Sequence, residues 1–187
     1  EDFGQARVDK TFSEKDSFFT RYTISDTSIT DSAEQWPGFP RFGNSRGQFL
    51  TAAESHTFTP VLLNQVRVSF SRTFGIFNSP TLEDPNLEFI QGKGLGSISP
   101  GSNVTAIGPG TPWIVFNQNL YTISNDVYWT RGSHGLKFGT LINRYHVFTE
   151  PTTARRGGYT FANLTQFLQG VPNQFSSETP GSNTYRH

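Results

Sequence analysis

The sequence predicts an all-β protein whose strands run up and down in antiparallel order. Outside the loops, apolar and polar side chains alternate with a period of two. Eighteen Phe, six Tyr and three Trp residues accompany eighteen Gly residues, a composition that favours strands and turns over helices. Tight polar turns alternate with long segments rich in Gly and Pro, so we expect a series of hairpins that all turn at the same end.

The first hairpin is predicted in the N-terminal quarter of the chain. Alternation over residues 4–12 and 17–25 indicates two strands, and "SEKD" at 13–16 supplies the polar turn between them. Residues 26–47 are rich in Gly, Pro, Ser and Asp, so we expect a long loop there.

The second hairpin joins residues 48–58 to residues 65–74 through the turn "TPVLLN". Its second strand alternates cleanly between apolar and polar side chains. In its first strand Leu50 shares its parity with Glu54, so the direction in which that strand faces is ambiguous.

A third hairpin follows a long irregular segment. Residues 75–119 contain the Gly-rich stretch "QGKGLGSISPGSNVTAIGPGTP", and compact soluble domains rarely carry a loop of this length. Residues 120–131 and 136–148 then predict two strands around "RGSHG", with Trp129 just before the turn and Phe138 just after it.

The C-terminal part predicts less regular structure. Residues 159–161 indicate a short strand. Residues 163–168 indicate one helical turn, which Asn163 would cap at its N-terminus and Gly170 would close.

The loop lengths predict how these strands assemble. Short turns on one side and long loops on the other are expected of an outer-membrane β-barrel, with its periplasmic turns and extracellular loops. Five aromatic residues lie near the short turns, as in the girdle at a membrane interface: Phe12, Phe18, Phe58, Trp129 and Phe138. The alternative is a soluble, secreted β-sandwich that binds carbohydrate, in which the same apolar side chains would turn inward to a shared core.

With these features, the chain resembles the barrel of TonB-dependent outer-membrane transporters. The most similar group is the Oar-like one, in which a carboxypeptidase-regulatory-like domain precedes the plug and the barrel. Four segments carry the resemblance, in the order and at the spacing of the family: "RVDKTFSEKDSFFTRYTIS", "ESHTFTPVLLNQVRVSFSR", "DVYWTRGSHGLKFG" and "RRGGYTFANLTQFLQGVPNQF". The remaining residues fall in loops, where such proteins vary.

The resemblance implies a barrel of about 22 strands closed around a separate plug. We therefore expect residues 1–187 to form a sector of a large transmembrane barrel, with about seven or eight strands, the plug and the other strands lying outside this sequence. The implied function is uptake of a scarce solute, a carbohydrate or another organic nutrient, with energy delivered through TonB. The implied partners are the plug domain and TonB of the full-length protein, together with outer-membrane lipid and lipopolysaccharide.

Alternation assigns side chains to the two sides of such a barrel. The expected lipid-facing residues are Val66, Val68, Phe70, Val127, Trp129, Leu136, Phe138 and Ile142. The expected lumen-facing polar residues are Arg21, Gln65, Arg67, Asn125, Asp126, Lys137 and Asn143.

The loops hold the candidate contacts with ligands. Aromatic rings beside Asn, Arg and Gly resemble surfaces that stack on sugars or hydrophobic solutes, although such rings also pack loops on themselves. These rings belong to Trp36, Phe39, Phe42 and Trp113. Arg155 and Arg156 are candidates for contact with lipopolysaccharide phosphates, or they solvate a strand end.

Several functional classes are not supported by the sequence. The absence of Cys excludes zinc ribbons and thiol catalysis, and fifteen basic against fifteen acidic residues leave no basic footprint for nucleic acid. "GKGLGS" fits neither a P-loop nor a dinucleotide motif, and the four His residues are scattered. The serines lie in turns and loops without an evident base beside them, so we expect neither enzymatic activity nor a cofactor.

Overall fold

The computed structural model describes most of the chain: residues 1–31, 39–79, 84–101, 103–109, 113–152, 155–179 and 184–186. These residues form ten strands and one short helix. The strands are β1 (Asp2–Thr11), β2 (Asp16–Asp31), β3 (Arg41–Thr59), β4 (Leu62–Asn78), β5 (Ser97–Ser99), β6 (Trp113–Arg131), β7 (His134–Thr152), β8 (Gly158–Thr160), β9 (Gln174–Ser176) and β10 (Thr184–Arg186). The helix α1 is Leu164–Leu168.

Seven strands form one sheet in the order β1-β2-β3-β4-β6-β7-β10, and every neighbouring pair is antiparallel. The connections after β1, β3 and β6 are tight turns. The connections after β2, β4 and β7 are long, and they all leave the opposite end of the sheet. The predicted up-and-down, all-β fold is confirmed, and the sheet stays open, with β1 and β10 at its edges.

The strands are longer than predicted. The expected loop at 26–47 is wrong in extent, because β2 and β3 leave only residues 32–40 between them. The expected irregular segment at 75–119 shortens to residues 79–112. Pairs such as Thr27 with Ser45 continue the ladder where both sides of the strand are polar. The period-two signal disappears there, although the backbone hydrogen bonds continue.

The sheet has two chemically different faces. The register aligns one set of alternate residues into an apolar face: Ala6, Val8, Phe18, Tyr22, Ile24, Leu50, Ala52, Val66, Val68, Phe70, Tyr121, Ile123, Val127, Trp129, Leu136, Phe138 and Ile142. Most of the intervening residues are polar, and they form the polar face: Gln5, Arg7, Arg21, Thr23, Thr51, Ser55, Gln65, Arg67, Ser69, Ser71, Thr122, Ser124, Asp126, Lys137 and Asn143. This face also includes the apolar residues Phe19, Phe49, Ala53, Leu120 and Leu141.

Little of the apolar face is buried. Among the described residues the buried hydrophobic side chains are only those of Phe39, Ala53, Leu95 and Phe161. A β-sandwich would cover the apolar face with a second sheet. The other sheet in the described residues has three strands of three residues each, which is too small to do so. The sandwich alternative therefore does not fit.

Within the part of the chain that the structure describes, no helix is long and apolar enough to cross a membrane.

The long connections fold into a small unit of their own, which we call the cap (residues 84–101, 103–109 and 155–176). β5 pairs in parallel with β8, and β8 pairs in antiparallel order with β9, so the cap unites segments about 60 residues apart in the chain. The ring of Tyr159 lies 5.0 Å from that of Phe89 and 4.7 Å from that of Phe175. Of the cap, the sequence predicted only the strand near 159–161 and the helical turn at 163–168.

The predicted helical turn is confirmed as α1. Asn163 caps it by accepting a hydrogen bond from the backbone N–H of Gln166 at 3.0 Å. Gly170 closes it with φ of 68°, a left-handed conformation that glycine adopts without strain.

Candidate functional site

All eight predicted lipid-facing residues lie together on the apolar face. Val68 is directly opposite Ile123, and Val127 is directly opposite Phe138. The rings of Phe70 and Tyr121 are 5.1 Å apart. Val68 is 46% exposed and Phe138 56% exposed, although their neighbours on the face are also apolar. This face therefore requires an apolar environment that the described residues do not supply.

The structure corrects the position of Asn125. The prediction that groups it with Arg67 and Lys137 is wrong, because alternate residues of a strand share a face and Asn125 is two residues from Val127. The Asn125 Nδ2 group donates to Asn64 Oδ1 at 3.1 Å. Asn64 Nδ2 in turn donates to the Asp126 carbonyl at 3.2 Å. The amide of Asn125 is thus paired on an otherwise apolar face.

We expect the two Asn residues to be coupled. Asn125→Leu leaves Asn64 Oδ1 without its donor, and an unpaired polar group in an apolar setting costs about 1–3 kcal/mol. Asn64→Leu combined with Asn125→Leu removes both polar groups and should recover most of that loss. The measurement is the urea midpoint of the full-length protein in phospholipid vesicles. Additive losses in the double variant would show that the amides do not act as a pair.

The polar face carries the other predicted lumen-facing residues. Arg21 lies opposite Thr51, and Arg67 lies opposite Ser124. Lys137 Nζ is 3.5 Å from Asp126 Oδ1. Arg21, Arg67 and Lys137 therefore share one surface.

Toward the long connections, the polar face becomes aromatic. The ring of Phe77 lies over Gly43, where an added Cβ would meet it at 2.8 Å, and the ring of Phe116 covers Gly75 in the same way at 2.3 Å. Phe49, 43% exposed, is on this side as well. The sequence left this strand ambiguous, so Phe49 was missed as a candidate contact. The pairing of β3 with β4, which alternates cleanly, shows that Phe49 lies on the polar face.

Arg156 fastens the cap to the end of β4. Its guanidinium donates to the Ser79 carbonyl at 2.8 Å and to Asn78 Oδ1 at 3.2 Å. Burial lowers the pKa of Arg156 from its usual value, and the neighbouring Arg155 adds to the effect. These bonds favour a structural role for Arg156.

A cationic pocket opens beside this attachment. It is lined by Gly92, Lys93, Arg155 and Arg156. Arg155 is engaged by Glu150 at 3.0 Å. The pocket has the charge for an anionic group, and it lies in the part of the chain that the long connections build.

The "GKGLGS" stretch forms a turn that holds a carboxylate of its own chain. Glu88 Oε2 accepts from the Gly92 N–H at 2.6 Å, and its Oε1 accepts from the Gly94 N–H at 3.2 Å. Successive backbone N–H groups in such a turn make an anion-binding concavity. Because Glu88 fills it, this turn is structural.

Comparison with known protein families shows to which family the chain belongs. Residues 1–187 match the family described as "Outer membrane beta barrel domain". The chain belongs to this family. No curated protein and no solved structure matches it. The family places the protein in the outer membrane, as predicted, and an antiparallel, up-and-down sheet with unequal connections is the arrangement expected of such a barrel.

In an outer membrane barrel the strands tilt by about 35–45° from the membrane normal. A plane parallel to the membrane therefore crosses the hydrogen-bonded rows of residues obliquely. The apolar face shows this drift. On β7 the apolar residues run from Leu136 to Ile142, starting at the tight turn. On β2 they run from Phe18 to Ile24. The outer limit of the apolar residues therefore lies two hydrogen-bonded rows farther from the tight turns on β2 than on β7. We call this oblique stripe the apolar band.

A polar interruption of the apolar face explains why the facing of β3 was ambiguous. Glu54 lies directly between Phe18 of β2 and Val66 of β4, and His56 is the next residue on this face toward the tight turn. The His56 ring Nδ1 contacts Asp16 Oδ1, and Glu54 reaches within 4.8 Å of both. The sequence presents His56 as isolated, because its partner Asp16 is 40 residues away. These residues have ligand types that suit a divalent cation, and the imidazole–carboxylate contact already pairs two of them.

The structure describes the side chains of two of the four predicted ligand-contact rings, Phe39 and Phe42. Phe39 is buried, at 9% exposure, which favours packing of the loop. Phe42 is 41% exposed and lies on the side of the sheet that carries the apolar face. Trp36 is outside the described residues, as is the side chain of Trp113.

Proposed function

We propose that this protein is a TonB-dependent receptor that takes up a scarce organic solute, such as a carbohydrate, across the outer membrane. The observation that carries the proposal is the cap. The long connections fold into a packed unit, with three strands, an aromatic cluster and a cationic pocket, at one end of the barrel sheet. A structured surface at the mouth of a barrel is suited to capturing a solute.

In this proposal the tight turns face the periplasm and the cap faces the outside, as in other outer-membrane barrels. The apolar face meets lipid. The polar face, with Arg21, Arg67 and Lys137, lines the interior and contacts a plug. The unpaired edges of β1 and β10 are completed by further strands, because an exposed sheet edge is not tolerated in a membrane.

The aromatic part of the polar face is the route from the cap into the interior. Phe49 is exposed there, and Phe77 on β4 and Phe116 on β6 lie farther along the same face toward the long connections. Rings of this kind stack on the apolar faces of sugars and other organic solutes. We therefore favour these three residues over Phe42 as solute contacts.

The test is whether uptake depends on energy from TonB. We expect deletion of the gene for this protein and depletion of TonB to abolish uptake of the same solutes, measured as their disappearance from a mixed, dilute medium by mass spectrometry. Combining the two losses should add nothing further. Uptake that survives TonB depletion, or a steady open conductance of the purified protein in a planar bilayer, would instead identify a passive channel.

A further inference from the structure

The outer limit of the apolar band is marked by aromatic residues. The register places Tyr22, Phe70 and Tyr121 in one row across β2, β4 and β6, with Leu50 between the first two. Amphipathic rings at such a position form the girdle at a membrane–water interface. The row is on the long-connection side of the band, so it marks the interface with the outer leaflet.

Two arginines lie on the same side of the sheet just beyond the apolar band. Arg72 follows Phe70 by two residues on β4, and Arg144 follows Ile142 by two residues on β7. Neither side chain forms an ion pair or hydrogen bond with the residues that the structure describes. Arg46 lies one row farther out on β3 and differs, because Asp26 binds it with two bonds of 2.7 and 2.8 Å.

The spacing of the two free arginines suits a ligand with two anionic groups. Arg72 on β4 shares a row with His146 on β7, with one strand, β6, between them. Arg144 is two residues from His146 along β7. With strands about 4.8 Å apart and a rise of about 3.3 Å per residue, the two Cα atoms are about 12 Å apart. Each guanidinium offers a fork of donors that matches a phosphate.

We infer that Arg72 and Arg144 bind the phosphate groups of the phosphorylated glycolipid in the outer leaflet. This lipid is the anion that a side chain meets at this level, and it carries a phosphate at each end of a disaccharide. The acyl chains of the same lipid would cover Val68, Phe70 and Ile123, which lie next to the arginines in the band. The inference depends on the apolar face meeting lipid and on the outward orientation of the long connections in the proposed function, and it is independent of TonB.

The experiment compares lipid binding by variants of the full-length protein. Native mass spectrometry would measure the binding of lipid A with two phosphates and of the same lipid after dephosphorylation. We expect the native protein to prefer the phosphorylated lipid. Arg72→Gln and Arg144→Gln should each weaken its binding about tenfold, the loss expected for a charge-assisted hydrogen bond, and leave the dephosphorylated lipid unaffected.

Arg46→Gln is the matched control. It removes the same charge from the same side of the sheet, but this charge is already neutralised by Asp26, so we expect the lipid preference to remain. Three results would overturn the inference. They are a native protein indifferent to the phosphates, an equal loss in Arg46→Gln, and a loss that affects both lipids alike.

Discussion

Val68→Arg is expected to abolish the folded barrel in the outer membrane. Val68 lies within the apolar band, flanked by Ala52 and Ile123 on the neighbouring strands. An Arg near the bilayer midplane costs about 2–4 kcal/mol, a large fraction of a marginal stability. The measurement is the amount of protein in the outer-membrane fraction that keeps a heat-modifiable mobility on a denaturing gel. We expect that amount to fall below detection.

Ser69→Arg provides the control for this change. Ser69 is the next residue of the same strand, and it lies on the polar face between Thr51 and Thr122. The same cation there should be tolerated, because it meets water or the polar lining. A larger loss in Ser69→Arg would mean that the polar face meets the lipid, and equal losses would contradict the assignment of the apolar face to lipid.

Gly96→Ala should open the cap and leave the barrel sheet intact. An added Cβ at Gly96 would lie 2.1 Å from the Gly157 carbonyl oxygen and 2.6 Å from that of Arg156. These are backbone atoms, which cannot rotate away as a side chain can. The methyl group would therefore separate β5 from β8 at the point where the Ser97 N–H donates to Gly157. Overpacking of this kind costs about 1–3 kcal/mol or more.

Protease treatment of intact cells would detect this change. We expect new cleavage sites within the cap, together with an unchanged, heat-modifiable barrel. Gly135→Ala is the control substitution, because no heavy atom lies within 4 Å of its added Cβ and its backbone is not left-handed. A cap that resists protease in Gly96→Ala as it does in the native protein would show that β5 and β8 are not held together as described.

The apolar band was predictable from residues close in the sequence. In β4 the run from Val66 to Phe70 alternates without interruption. The two-residue turn at 60–61 fixes how this strand pairs with β3. Prediction failed where that signal was absent. Strand ends beyond the band have mostly polar residues on both sides, so the outer ends of β2 and β3 were predicted as loop. In β3 the charged residue Glu54 lies on the apolar face between Phe18 and Val66, so alternation alone did not show which way the strand faces.

The sequence by itself determined the strands, the tight turns, the two chemically distinct faces and the capped helical turn. These follow from periodicity and turn chemistry, which act between neighbouring residues. Only the tertiary structure decided how distant segments meet. It paired Asn64 with Asn125, gave His56 its partner Asp16, and joined the two long connections into the cap. Such contacts depend on register, tilt and packing across the sheet, which no local pattern encodes.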